Sequence, residues 1–234
     1  MTDYEYVGAE LDVFALAANW KRYFAGLLQP YIRGEVLEVG AGIGETTRTL
    51  CNPSVKRWIC VEPDPRLAAR LANASFPTRI QPEIVVGDVT AVSIDLRFDT
   101  IVYIDVLEHI RDDRRQLEIA ASKLAPGGFL VVLAPAFQQL FSEFDRAIGH
   151  ERRYTRKSLE AVFPPNVRIC RSFYADCVGA MLSLANRMLL RESVPSSSQI
   201  LLWDRCVVPL SRVVDPIVNR LFGRSVIVIG TLAA

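Results

Sequence analysis

The stretch Val36-Leu37-Glu38-Val39-Gly40-Ala41-Gly42-Ile43-Gly44-Glu45-Thr46-Thr47 decides how this chain reads. A short apolar run bounded by turn residues is the pattern of a strand buried on both faces. Val36 to Val39 fits it, with the carboxylate of Glu38 as the exception. The alternating glycines Gly40, Gly42 and Gly44 allow a sharp turn and let a ligand lie against main-chain atoms with no Cβ between. A helix then starts near Glu45 and points its N-terminal amides back at the same place. Strand, glycine turn and helix in this order predict a site for a small flat ligand carrying a ribose or a phosphate.

Working outward, apolar segments at 57–62, 83–87, 98–104 and 129–135 read as four more strands. Helical stretches lie between them, at 45–50 up to Asn52-Pro53, from Pro63-Asp64-Pro65 through Asn73, and over the charged segment 112–124. Ala125-Pro126-Gly127-Gly128 reads as a tight turn before the fifth strand. This alternation predicts right-handed βαβ units, a mostly parallel sheet and helices on both faces. Ligands of such sheets bind beyond the carboxyl ends of the strands. The strand ends here carry Gly40 to Gly44, Glu62, Asp88 and Asp105, a glycine turn followed by three carboxylates.

Upstream, 10–29 has the apolar spacing of one amphipathic helix, ended by Pro30 and Gly34, with Trp20 on the core or over a ligand. Downstream, weaker strands at 166–171 and 225–230 enclose a helical insertion, 174–223, that reads as a lid over the ligand edge. Its apolar stripe of Ile200, Trp203, Val207, Leu210, Val214, Ile217 and Leu221 reads as core in preference to a membrane-contacting face. Pro209 and Pro216 predict two short helices in place of one long one.

Composition narrows the class. A chain of 234 residues holds one large domain, 1–234, with a substantial core. A net charge of +1 gives no basic excess of the kind that nucleic-acid binding requires. Five scattered cysteines, without a Cys-x-x-Cys pair, read as reduced thiols. The acidic N-terminal segment lacks the basic and apolar regions of a signal peptide, and no apolar run approaches ~20 residues. The expectation is a soluble cytoplasmic domain without a nucleic-acid partner.

The glycine spacing bears on the ligand. A dinucleotide loop reads Gly-x-Gly-x-x-Gly, and Glu45 stands where its third glycine belongs. A carboxylate there repels a pyrophosphate. Glu62 can take both hydroxyls of a ribose, and Asp88 can accept from an exocyclic amine such as that of adenine. A cationic, phosphate-free ligand among Glu38, Glu62, Asp88 and Asp105 satisfies this electrostatics.

The ordered set Glu38-Val-Gly40-Ala-Gly42-Ile-Gly44, Glu62, Gly87-Asp88-Val89, Phe98-Asp99 through Asp105-Val-Leu-Glu108-His109, and Leu124-x-Pro126-Gly127-Gly128 resembles class I S-adenosylmethionine-dependent methyltransferases over most of the chain. The resemblance implies an α/β, Rossmann-like seven-stranded sheet with its last strand antiparallel, and S-adenosylmethionine as cofactor. It places the methionine part on the glycine loop, the ribose on Glu62, the adenine amine on Asp88 and the ring against the backbone of Val89. The stretch Asp145 to Thr155 resembles a subgroup of small-molecule methyltransferases and implies a small-molecule acceptor, methylated on oxygen or nitrogen. The competing readings are an NAD- or nucleotide-dependent enzyme and a non-catalytic protein that keeps the fold.

Methyl transfer needs a nucleophile held about 3 Å from the methyl group and, for a hydroxyl or ammonium acceptor, a proton acceptor. The chain has two histidines, His109 and His150, both just after strand ends; either serves as the base. Arg153 and Tyr154, beside His150, are candidate acceptor contacts, as is Trp20. Asp105, Glu108 and His109 fall at i, i+3 and i+4, a spacing that on one helical face could hold a divalent ion. The reading assigns Asp105 to the cofactor and no metal.

Overall fold

The computed structural model describes residues 10–76, 80–189 and 196–233. Seven strands form one sheet in the order β3-β2-β1-β4-β5-β7-β6. They are β1 Gly34–Val39, β2 Val55–Glu62, β3 Glu83–Val86, β4 Phe98–Ile104, β5 Leu124–Pro135, β6 Val167–Ala175 and β7 Ser225–Leu232. Pairings among β1 to β5 are parallel, and β7 runs antiparallel to both β5 and β6. The predicted sheet and its reversed last strand are both present.

Ten helices are described: α1 Glu10–Phe14, α2 Ala18–Leu28, α3 Glu45–Leu50, α4 Pro65–Ala72, α5 Asp113–Ser122, α6 Glu143–Ala147, α7 Arg156–Glu160, α8 Cys177–Leu189, α9 Ser197–Leu202 and α10 Val208–Ile217. Side chains of a strand alternate between faces, so the sheet carries two cores. Leu37 and Val39 of β1 pack with Leu117 and Ala121 of α5 and Leu159 of α7. Val36, Trp58 and Cys60 pack on the other face with Trp20, Phe24 and Leu28 of α2 and with Ile200 and Val208 of the insertion.

Four predicted boundaries move. The helix expected over 10–29 is broken by a turn at Ala15 to Ala17. Ala17 offers no side-chain oxygen to cap α2. Asp204 caps it instead from across the sequence, accepting from the backbone N–H groups of Asn19 (3.1 Å) and Trp20 (2.8 Å). Periodicity cannot register a cap that distant. The turn expected at 125–128 belongs to β5, whose pairing with β4 slips between Phe98 and Thr100. There a Cβ on Gly128 would lie 2.9 Å from the Phe98 carbonyl oxygen. β6 runs to Ala175, so the insertion begins at α8.

The fourth correction concerns the prolines. α9, a π-helical turn at Trp203–Val207 and α10 follow without interruption, one rod in place of two separate helices. Pro209 falls in the first turn of α10, and its ring would press on the carbonyl four residues back, that of Arg205. That carbonyl lies in the wider π turn, which makes room for the ring. The predicted apolar stripe is only partly core: Ile200 is buried, whereas Leu210 is 52% and Ile217 74% exposed. Among the described residues, no helix is long and apolar enough to cross a membrane.

Candidate active site

The glycine loop turns as its composition demands. Gly40, Gly42 and Gly44 have φ of 71°, 55° and 83°. A Cβ on Gly40 would come within 2.6 Å of Val106, while one on Gly42 would meet nothing nearer than Leu11 at 3.7 Å. Gly42 therefore keeps main chain open to a ligand. Glu62, at the end of the neighbouring strand, holds the loop: its carboxylate accepts from the N–H of Gly42 (2.7 Å) and of Asp64 (2.9 Å). Burial raises its pKa above the ordinary carboxylate value. Asp88 lies exposed beyond β3 and accepts from the N–H and hydroxyl of Thr90, at 2.8 and 2.5 Å. The next residue, Val89, is buried.

Glu38 is not at the ligand surface. It is buried under the loop, and one carboxylate oxygen accepts from Thr47 Oγ1 (2.5 Å) and Trp58 Nε1 (2.8 Å). The other oxygen has no partner among the described residues. Burial pushes its carboxyl up to about 7. Glu38 thus ties β1 to α3 and β2, and its expected place among the ligand contacts is corrected to a strut. Glu45 is also different in kind. It pairs with Lys21 and Arg48, so much of its charge is cancelled, and its expected repulsion of a pyrophosphate weakens.

Beside the loop opens a cavity of about 230 Å³. Its lining comprises Gly40, Ala41 and Gly42 of the loop, the rings of Trp20, Phe24 and Trp203, and the polar side chains of Asp105, Glu108, His109, His150, Arg153 and Arg224. Both expected histidines are present, edge to face, with ring centroids 4.6 Å apart. His150 Nδ1 lies 2.8 Å from Asp145 Oδ1, and the Arg153 guanidinium grips both oxygens of the same carboxylate, at 2.8 and 2.9 Å. These partners hold the Asp145 carboxyl below its usual range although burial opposes them. His109 is pushed down to about 4 by burial and by His150, so it is neutral at pH 7. Asp105, whose φ is 52°, is open to the cavity and sheltered by its walls. That desolvation pushes its carboxyl up to about 6 against His150, Arg224 and Arg153.

Glu108 stands out. It is fully buried, both carboxylate oxygens lack a hydrogen-bond partner among the described residues, and its pKa is raised well above the ordinary value by burial and by Asp105. The helical face expected for Asp105, Glu108 and His109 does not form, because Asp105 precedes a single 3₁₀ turn, Leu107–His109. Glu108, His109 and His150 come together instead.

Two expected acceptor contacts change role. Tyr154 is buried away from the cavity, where its hydroxyl donates to Asp113 (2.7 Å). Arg153 faces the cavity, but its guanidinium is committed to Asp145. Arg224 was not foreseen. It faces the cavity, stacks over Trp203 at 4.8 Å, and has no carboxylate at ion-pair distance among the described residues. A sequence signal existed: β7 is reversed, so its beginning, Ser225, lies opposite the end of β5 at Pro135, on the ligand edge.

The donor set suits a cationic ligand with a ribose: an open glycine turn, Glu62 beside it, and Asp88 one strand further out. Residues 13–174 match a family model for a methyltransferase domain. The chain therefore belongs to the methyltransferase domain family, and the fold and motifs make it class I with S-adenosylmethionine as cofactor. Among solved structures it is similar to the N-methyltransferase NodS of Bradyrhizobium japonicum WM9 in complex with S-adenosyl-L-homocysteine. That match has TM-score 0.58 and 15% identity, covering 93% of this chain and 88% of that one. An S-adenosylmethionine-dependent methyltransferase of Clostridium acetobutylicum matches at TM-score 0.58 and 13% identity, covering 92% of each chain. An O-methyltransferase family 2 protein of Planctomyces limnophilus, in complex with apigenin, matches at TM-score 0.61 and 16% identity, over 96% of this chain and 61% of that one. No curated protein matches the sequence.

Proposed function

We propose that the protein transfers the methyl group of S-adenosylmethionine to an oxygen or nitrogen atom of a small-molecule acceptor. The observation that carries this reading is the cavity, whose lining joins the loop residues Gly40 to Gly42 to Asp105, His109 and His150. Its aromatic rings and few convergent polar groups suit a small acceptor beside the cofactor. The cofactor supplies an electrophilic methyl on a sulfonium.

The chain's own residues do the rest. Glu62 keeps lone pairs for ribose hydroxyls while it braces the loop, Asp88 takes the adenine amine, and the Val89 backbone borders the ring. Trp20, Phe24 and Trp203 exclude water from the acceptor, and Arg224 offers a cation to an anionic or polar group on it. His109, neutral at pH 7, and His150, oriented by Asp145, are the groups placed to receive the acceptor's proton.

Calorimetry with S-adenosylmethionine and with NAD tests the cofactor, since binding of NAD alone would overturn the reading. Turnover tests the histidines: His109→Ala or His150→Ala lowers kcat more than cofactor affinity. An equal loss of both quantities in each variant would remove the proton-acceptor role.

A further inference from the structure

We propose that Glu108, His109 and His150 bind a divalent transition-metal cation in the cavity. Each side chain offers one ligand atom, and these atoms lie within 4.8 Å of one another. His150 Nε2 is 3.7 Å from Glu108 Oε1, a separation that small side-chain rotations close around an ion with ligands near 2.1 Å.

The second, independent observation is Glu108 itself. It is fully buried, lines the cavity, and has both oxygens without a hydrogen-bond partner among the described residues. Protonation does not resolve this, because the hydroxyl would then be a buried donor without an acceptor. Leaving such a group unsatisfied costs ~1–3 kcal/mol or more. A cation in the cavity supplies the missing partner.

The surroundings are those of a metal site. Metal-binding imidazoles bond their second nitrogen to a carboxylate or carbonyl, which fixes the ring and the tautomer. His150 does so through Nδ1 to Asp145, and His109 through a hydrogen bond to the Gly149 backbone. Asp145 is held in turn by Arg153 and by the N–H and hydroxyl of Ser142, each 2.8 Å away. Two imidazoles and one carboxylate, with open positions toward a cavity, suit iron(II), manganese(II), cobalt(II) or zinc(II) better than magnesium or calcium.

The consequence for the acceptor rests on the methyltransferase reading. A cation held here favours an oxygen nucleophile, because it lowers the pKa of a hydroxyl that it binds. The acceptor's proton then goes to Asp105 or to water. The new bond joins the acceptor oxygen to the methyl carbon, the carbon–sulfur bond breaks, and its electron pair stays on sulfur as a neutral thioether. The histidine nitrogens serve as ligands in that case and do not take the proton themselves.

The experiment is a cobalt(II) titration of chelator-treated protein, followed by visible absorption and melting temperature, beside calorimetry with S-adenosyl-L-homocysteine. The expected result is one cobalt per chain and a raised melting temperature. Glu108→Gln, which keeps shape, is expected to weaken cobalt binding at least 100-fold, His150→Gln likewise, and Asp145→Asn 10- to 100-fold. Melting temperature in chelator and S-adenosyl-L-homocysteine binding report that each variant is folded. Wild-type protein that takes up no cobalt or zinc at millimolar concentration, or a folded Glu108→Gln that binds cobalt within threefold of wild type, overturns the proposal. Protein that binds S-adenosyl-L-homocysteine but takes up no cobalt loses the metal site and keeps the proposed function. Protein that binds cobalt but neither S-adenosylmethionine nor its thioether keeps the metal site and loses that function.

Discussion

The glycine loop and the aromatic side of the cavity are built differently. The residues that shape the loop are close in sequence or sit at the ends of adjacent strands: Gly40 to Gly44, Glu62 beside them, Glu38 underneath. Along the aromatic side of the cavity, formed by α2 and the insertion, the ties span the chain. Asp204 of the π turn caps α2, and Asp215 of α10 accepts from Tyr23 Oη (2.5 Å) and from the N–H groups of Asp176 (2.7 Å) and Cys177 (2.9 Å). A local motif fixes the loop, and tertiary acid-to-amide ties fix the aromatic side. The insertion is thus a clamp that fastens α2 to the sheet as well as a cover.

Substitutions that separate these two constructions test the contrast. The largest effect is expected for Asp215→Ala, which strands a tyrosine hydroxyl and two buried amides. It should cost about 4 kcal/mol in denaturant unfolding, and a loss below ~1 kcal/mol would show that the clamp is not a structural tie. Next comes Glu38, whose folded-state pKa of about 7 stands above the ordinary 4.5. Its contribution is full below the unfolded value and is lost as pH rises through the folded one. That is a loss of roughly 3 kcal/mol for such a shift. Glu38→Gln should therefore flatten the decline in stability between pH 5 and pH 8, and parallel curves for the two proteins would refute the assignment.

Smaller effects follow. Glu62→Ala should weaken S-adenosylmethionine binding by about 10- to 100-fold, the worth of one or two hydrogen bonds at ~1–3 kcal/mol. Undiminished affinity would free Glu62 of both loop and ribose. Asp204→Ala removes only a helix cap, and a loss of about 1–2 kcal/mol is expected. Hydrogen exchange should show it first at the start of α2, with the amides of the glycine loop unchanged. Simultaneous loosening of that loop would mean that the loop and the aromatic side are one cooperative unit.

The same contrast explains what the sequence made legible. The strand alternation, the glycine turn and the carboxylates at successive strand ends were readable because each is a local pattern, 3 to 8 residues long in its strands and turns. Glu38 and Glu62 lie on that pattern alike, and only packing separates the buried strut from the loop brace. The cap on α2 and the pairing of Arg153 with Asp145 depend on contacts no window contains. Arg224 was missed for another reason. The rule that ligands gather at carboxyl ends of strands holds for the parallel ones, and the reversed strand delivers its beginning to the same edge. The meeting of Glu108, His109 and His150 required a loop, His150 to Tyr154, that returns to the end of β4; Glu151 N–H donates to the Glu108 carbonyl at 2.8 Å.

The π turn has a consequence of its own. Asp204 lies within it, and Asp215 follows about three helical turns further along the rod. In an unbroken α-helix the two acids would return to nearly the same azimuth. The wider turn offsets their phase, so that one addresses the start of α2 and the other reaches Tyr23 and the end of β6. Forcing Trp203–Val207 into α winding with the same number of residues would swing the rest of the rod by about one residue's 100°. No side chain need be lost from either acid for the clamp to fail; the width of that turn is itself the key that keeps it in register.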